Sequence, residues 1–239
     1  MRRALVTGGS GAIGAAICRK LAADGHYVYV HANTGAPRAE MIDREIAALG
    51  GASETVIFDV TDHAATAKAL DSLLASGPLQ ILVNNAGVHD DAVMPGMAHE
   101  QWSRVIDVSL NGFFNVTQPL LMPMIQTRWG RIINISSVAA IVGNRGQVNY
   151  AAAKAGLHGA ARALAVELAS RGITVNVVAP GIIASPMAAG VFPKETIDRL
   201  VPMKRAGTPD EVGDLVSFLA SERAAYISGQ IISINGAMI

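Results

Sequence analysis

The sequence predicts a single domain of the doubly wound α/β class: an open parallel sheet of about seven strands, helices on both faces, over residues 1–239. Three observations predict it. Short β-branched runs alternate with longer helical patterns along the whole chain. Several of these runs are apolar without period-2 alternation, which suits strands buried on both faces of a parallel sheet. A composition that is 51% hydrophobic and 16% charged in 239 residues supplies a large core and excludes a disordered chain.

The elements follow in order. The first strand is expected at 4–7, running into a glycine-rich turn and a helix over 12–23. Asp24-Gly25 breaks that helix before a strand at 27–30 and a helix over 38–48. Gly50-Gly51 precedes a strand at 54–58 and a helix over 63–75, and Gly77-Pro78 precedes a strand at 81–83. Helical patterns then cover 100–111 and 113–126. Trp129-Gly130 introduces a strand at 131–135, a helix is expected over 150–169, and Arg171-Gly172 introduces a strand at 173–178. A helix over 210–220 and a strand at 231–234 complete the series. Residues 180–203, with Pro180, Pro186, Pro193 and Pro202, carry no regular pattern. So long an excursion late in such a sheet lies near the carboxyl ends of the strands and reads as a substrate lid; the alternative is a surface insertion.

Charge narrows the function classes. Lys+Arg 19 balance Asp+Glu 19, so no net field drives the chain toward nucleic acid or an anionic membrane. Cys18 is the only cysteine, and the six histidines have no ligand spacing, so neither a disulfide nor a metal site is expected. The apolar run 4–6 is too short for a signal-peptide core, and no stretch approaches the roughly 20 apolar residues of a membrane helix. A soluble cytoplasmic protein is expected.

The first strand-to-helix junction reads Thr7-Gly8-Gly9-Ser10-Gly11-Ala12-Ile13-Gly14. Glycines there permit a tight turn and close approach of a pyrophosphate, and the helix N-terminus offers N–H groups and partial positive charge. This predicts a Rossmann-like dinucleotide site. An acid at the end of the second strand would bind a ribose 2′-hydroxyl. That strand ends Val30-His31-Ala32-Asn33-Thr34 with no acid. Asn33 and Thr34 would accept a 2′-phosphate without repulsion and Arg38 would pair with it, so NADP(H) is favoured.

Tyr150 and Lys154 stand at i and i+4 on one helix face. A cation beside a phenol favours phenolate and lowers its pKa, so Tyr150 is expected to pass a proton to a carbonyl oxygen as hydride arrives at its carbon. Ser137 follows the strand 131–135, where its hydroxyl would hold that carbonyl; turn capping is the alternative.

Thr7-Gly8 with Gly14, Asn84-Asn85-Ala86-Gly87, Ser137, Tyr150 with Lys154, and Pro180-Gly181 occur in this order. Together they resemble the short-chain dehydrogenase/reductase family over essentially the whole chain. Within it, residues 143–150, 152–156, 173–181, 202–205 and 232–236 resemble the 3-oxoacyl-[acyl-carrier-protein] reductases. Residues 143–150 and 234–239 are also similar to the ketoreductases of aryl polyene pigment clusters. The resemblance implies roles residue by residue. Tyr150 would donate the proton, Lys154 bind the nicotinamide ribose and Ser137 orient the ketone. Gly8, Ser10, Gly11, Ile13 and Gly14 would hold the cofactor phosphates, Asp59 and Val60 the adenine, and Asn85, Ala86 and Gly87 the ribose side. Pro180, Gly181, Ile183 and Ser185 would complete the site, the last two at the carboxamide.

The sequence departs from the family pattern at four places, one of them Ser185, which keeps the hydroxyl of the family's usual threonine and loses its methyl. Ala12 stands where the turn has its middle glycine, and Gly11 where NADP enzymes of the family often have an arginine. Ser109 occupies the fourth catalytic position, an asparagine in the family that is thought to bend its helix and hold a relay water. Asn111 is no substitute, because two residues along a helix turn a side chain by about 200°. Serine also disturbs helices by bonding its own backbone, so a retained but slower relay is expected. The resemblance further implies a homotetramer built on the helices 113–126 and 150–169 and on the last strand, and an acidic acyl-carrier protein docking on Arg128 and Arg171. Helix-dipole complementarity is the alternative for each arginine. The expected activity is NADPH-dependent reduction of a 3-oxoacyl thioester. The rivals are a family member acting on another small ketone or alcohol, and a weakly active cofactor-binding scaffold.

Overall fold

The computed structural model describes residues 1–184 and 192–239. Seven strands, β1 (Arg3–Val6), β2 (Tyr27–Ala32), β3 (Ala52–Ile57), β4 (Ile81–Asn84), β5 (Gly130–Ile135), β6 (Ile173–Pro180) and β7 (Ile231–Ile234), form one sheet of order β3-β2-β1-β4-β5-β6-β7. Every pairing is parallel. The strand order reverses between β1 and β4, and in open α/β sheets the crevice at such a switch point is where ligands bind.

Both faces of the sheet are apolar, which explains the missing alternation in the sequence. Ala4, Val6, Val28, Val30, Ile81, Val83, Ile133 and Ile135 face α1 (Ala12–Ala23), α2 (Ala36–Ala48) and α9 (Pro209–Ala220). Leu5, Tyr29, Leu82, Ile132, Val175 and Val177 face α3 (His63–Leu74), α5 (Gly112–Thr127) and α7 (Val148–Leu168). Helix starts are set by local chemistry. Asp62 accepts the Ala65 N–H at 2.9 Å before α3, and Thr208 and Glu211 bond reciprocally at the start of α9. Among the described residues, no helix is long and apolar enough to cross a membrane.

Three details differ from the sequence reading. The helix expected over 100–111 is α4 (His99–Ile106) followed by a π-turn, Asp107–Asn111, that runs into α5. A short helix, α6 (Ala139–Val142), fills the loop after Ser137, and α8 (Lys194–Leu200) lies inside the stretch read as irregular. Pro180 belongs to β6: it pairs with Ile234 beyond the last β5 partner, where no N–H is asked of it, and its carbonyl accepts the Val138 N–H. Residues 182–184 are also anchored, through hydrogen bonds between Gly207 and the backbone of Ile182 and Ala184.

Candidate active site

The glycine turn sits at the switch point and is locked from β4. Thr7 is buried, and its N–H donates to Val83 O at 3.0 Å. Its Oγ1 accepts the N–H groups of Asn85 and Ala86 at 2.9 and 3.0 Å. The Asn85 side chain donates in return to the carbonyls of Thr7 and Gly8, at 2.9 and 3.0 Å. Asn85, expected at the ribose, therefore spends its amide holding the turn. Gly8 is left-handed at φ +63°, and a Cβ on Gly14 would stand 2.2 Å from Gly8 O, so the turn closes only over glycine. Among the described residues, the N–H groups of Ser10, Ala12, Ile13 and Gly14 meet no protein acceptor. Four free donors at the N-terminus of a 12-residue helix, with this backbone approach, fit the pyrophosphate of a dinucleotide.

The loop after β2 lies against this turn, since a Cβ on Gly35 would stand 3.0 Å from Ser10 Oγ. Asn33 and Thr34 are exposed there. The fold adds what the sequence order hid. Asp59, just beyond β3, reaches the Asn33 side chain and is held below the usual carboxylate range, chiefly by the Thr61 N–H. An ionised carboxylate thus stands beside Asn33, although the end of β2 itself carries no acid. Val60 is buried and its carbonyl accepts from Asn115 at 2.9 Å.

Ser137, Tyr150 and Lys154 meet at the carboxyl ends of β4, β5 and β6, in the wall of a cavity of about 630 Å³. Ser137 Oγ accepts the Ala139 N–H at 3.2 Å, which leaves its own proton for the Tyr150 phenol oxygen. The expected lowering of the phenol pKa is not what results. Burial, the largest cause, raises it; the Ser137 hydroxyl pulls it down and the Asp91 carboxylate pushes it up. Lys154 does not reverse this, because its ammonium stands 5.8 Å from the ring centroid and donates to Ile135 O at 2.9 Å. Burial pushes Lys154 itself down to about 8.

Around this trio the supports are tight. Asn149 donates to the carbonyls of Asp90 and Gln101 and accepts the Tyr150 N–H at 2.8 Å, fixing the start of α7. The Ser136 hydroxyl donates to Lys154 O at 3.1 Å and accepts from His158 at 2.7 Å. Gly87 lets the lysine in, since a Cβ there would stand 2.9 Å from Nζ. The same point is 3.6 Å from Ser109 Oγ, so the fourth position does reach the site. Ser109 is buried in the π-turn, but its hydroxyl has no partner among the described residues. The helix is therefore distorted without the serine–backbone bond that the sequence reading invoked.

Pro180, Gly181 and Ile183 line the cavity, with Val138, Val142, Phe192, Leu200 and Met238 supplying its apolar side. Ser185 and the middle of the expected lid, 185–191, lie outside the described residues. Arg128 and Arg171 are exposed neighbours, Arg128 donating to Ser170 O at 3.0 Å. They stand at the amino ends of β5 and β6, about 20 Å of strand from Ser137. Asn149, Asn85 as a lock and the apolar wall were not assigned from sequence. For Asn149 a signal existed, a side-chain acceptor at a helix start, and Phe192 lies within the stretch 180–203 read as a lid; for Met238 none did, because only the fold brings it in.

Residues 2–196 match the short chain dehydrogenase family. The chain is 43% identical over 236 residues to a 3-oxoacyl-[acyl-carrier-protein] reductase of Aggregatibacter actinomycetemcomitans, covering 98% of each protein. It is 44% identical over 239 residues to nodulation protein G of Azospirillum brasilense, covering 98% of this chain and 97% of the relative. It is 41% identical over 242 residues to an acetoacetyl-CoA reductase of an Acinetobacter species, covering 98% and 96%.

Proposed function

Because the chain belongs to the short-chain dehydrogenase family, we propose that it reduces a 3-oxoacyl thioester to the 3-hydroxyacyl thioester with NADPH as the electron source. The observation that carries this is the meeting of Ser137, Tyr150 and Lys154 beside an apolar cavity that opens onto the glycine turn. Bound at that turn, the dinucleotide would supply the hydride to the ketone carbon. Ser137 and Tyr150 would both hydrogen-bond the ketone oxygen. The raised pKa of Tyr150 keeps its phenol protonated at neutral pH, ready to give its proton as that oxygen gains charge. Lys154, a cation below about pH 8, would stabilise the phenolate left behind and bind the ribose hydroxyls.

Val142 and Leu200 remain 59% and 42% exposed at the cavity, an apolar surface suited to an acyl chain. The segment 180–203 would be the lid over it. A cytoplasmic homotetramer, and an acyl-carrier protein as the donor of substrate, complete the reading. Phe114, Met122 and Val166, exposed on α5 and α7, support association through those helices. Asn33 and Thr34, open to a ligand, support NADPH, and Asp59 opposes it.

The test is absorbance-followed oxidation of NADPH with acetoacetyl-CoA, beside NADH and beside Tyr150→Phe. Turnover should prefer NADPH and fall about 10²–10⁴-fold in the variant, the usual contribution of a positioned general acid. Equal turnover in Tyr150→Phe would refute the catalytic assignment.

A further inference from the structure

One buried titratable side chain has no part in this chemistry. His31, in β2, is 2% exposed, at a position where a parallel strand needs only an apolar filler. Both ring nitrogens are engaged. Nε2 lies 2.9 Å from Phe58 O, and a carbonyl only accepts, so Nε2 carries the proton. Nδ1 is then the acceptor, and it takes the Gly8 N–H at 3.0 Å. The His31 carbonyl takes the next donor, the Gly9 N–H, at 2.7 Å. The ring packs on Phe58 with centroids 4.1 Å apart. A single residue thus consumes the N–H groups of Gly8 and Gly9, and those of Ser10, Ala12, Ile13 and Gly14 are left to a ligand.

We propose that His31 is a positioning residue for the dinucleotide site: its neutral imidazole holds Gly8 and so fixes the glycine turn in its anion-binding geometry. The inference rests on the reading of that turn as a dinucleotide site. Its physical consequence is an acid limit. Protonation turns Nδ1 from acceptor to donor, facing the Gly8 donor, and the turn must open. Three groups face the imidazole region. Asp59, from beyond β3, favours the cation; the Phe58 carbonyl also favours it; the Cys18 thiol of α1, behind Gly9, is neutral because burial pushes its pKa up. Burial of His31 outweighs them and lowers its pKa to about 4. The unfolded chain therefore holds more protons than the folded one between about pH 4 and 6.5. The contribution of His31 is complete above that window and declines as pH falls through it.

The experiment is calorimetric titration of the full chain with NADP⁺, without substrate, for the wild type, His31→Val and His31→Asn. Asparagine places Oδ1 where Nδ1 was and does not titrate. At pH 7.5, His31→Val should bind about ten-fold more weakly, the effect of one lost hydrogen bond. His31→Asn should stay within about three-fold of the wild type. Between pH 5.5 and 4, where the folded imidazole takes up its proton, the wild type should lose about two-fold more affinity than His31→Asn; comparing the two cancels the titration of the dinucleotide itself. Tight binding by His31→Val would overturn the proposal, as would parallel pH profiles for wild type and His31→Asn. If His31→Val does not fold, the pH comparison decides alone. A wild type that binds neither NADP⁺ nor NAD⁺ would instead refute the dinucleotide reading, and this inference with it.

Discussion

At the scale of single residues, the site trades stability for charge. Lys154 is 3% exposed, and among the described residues its ammonium has one carbonyl partner, Ile135 O, and forms no salt bridge. Burial depresses its pKa from 10.5 to about 8, so the folded state resists the charge that catalysis needs. The sign follows. Between about pH 8 and 10.5 the unfolded chain binds the proton that the folded chain has released, so this group's contribution to stability rises with pH across that window. Lys154→Met keeps the volume and removes the charge. It should raise the melting temperature at pH 7 by on the order of 5 °C, given about 2–4 °C per kcal/mol for a chain of this size, and abolish turnover. The stabilisation should shrink as pH approaches 10. Thermal denaturation at several pH values checks it, and a difference that does not vary with pH would mean that Lys154 carries no burial cost.

At the scale of elements, the junction of β1 and β4 is one built unit, and its keystone is Thr7. Its hydroxyl accepts two backbone N–H groups from the run after β4. Thr7→Val keeps the shape and leaves both part-buried donors without an acceptor, at a cost of about 1 kcal/mol each, the low end for an unsatisfied group. The melting temperature should fall by several degrees and the KM for dinucleotide should rise about ten-fold, with the thioester KM little changed. An unaltered dinucleotide KM would sever the lock from the site. The sequence made this architecture legible because its signals are local. Runs such as Ala4-Leu5-Val6 are apolar on both faces, and Tyr150 and Lys154 share a helix face by spacing alone. What it hid is tertiary. Nothing local tells that Asp59 reaches Asn33, that His31 holds Gly8, or that burial outweighs the Ser137 hydroxyl at Tyr150. The four-residue α6 and the seven-residue α8 are too short to show a helical period.

At the scale of the whole molecule, the two edges of the sheet are chemically different. The carboxyl edge carries the proposed catalytic groups, Ser137, Tyr150 and Lys154, and the apolar cavity. The amino edge carries cations. Arg2 and Arg131 stack on Trp129, 3.6 and 4.2 Å from its ring centroid, and both pair with Glu222. Arg128 and Arg171 are exposed beside them, and neither has a carboxylate partner among the described residues. Two unpaired, adjacent cations on a chain of zero net charge form a local attractor for an acidic protein. Their distance from Tyr150 sets the condition on the docking proposal. A carrier bound there serves this chain's own site only with an arm that crosses about 20 Å of sheet, or else serves the site of a neighbouring subunit. Small thioesters need neither. The double variant Arg128→Glu, Arg171→Glu should therefore raise the KM for a carrier-bound 3-oxoacyl substrate by about ten-fold or more, and leave kcat/KM for acetoacetyl-CoA within about two-fold of wild type. Added salt should reproduce the first effect in the wild type, because exposed charges are screened beyond about 10 Å at 0.1 M. Steady-state kinetics with both substrates separates the possibilities. A carrier KM that survives the double reversal would remove these arginines from recognition, and equal losses on both substrates would mark them as structural.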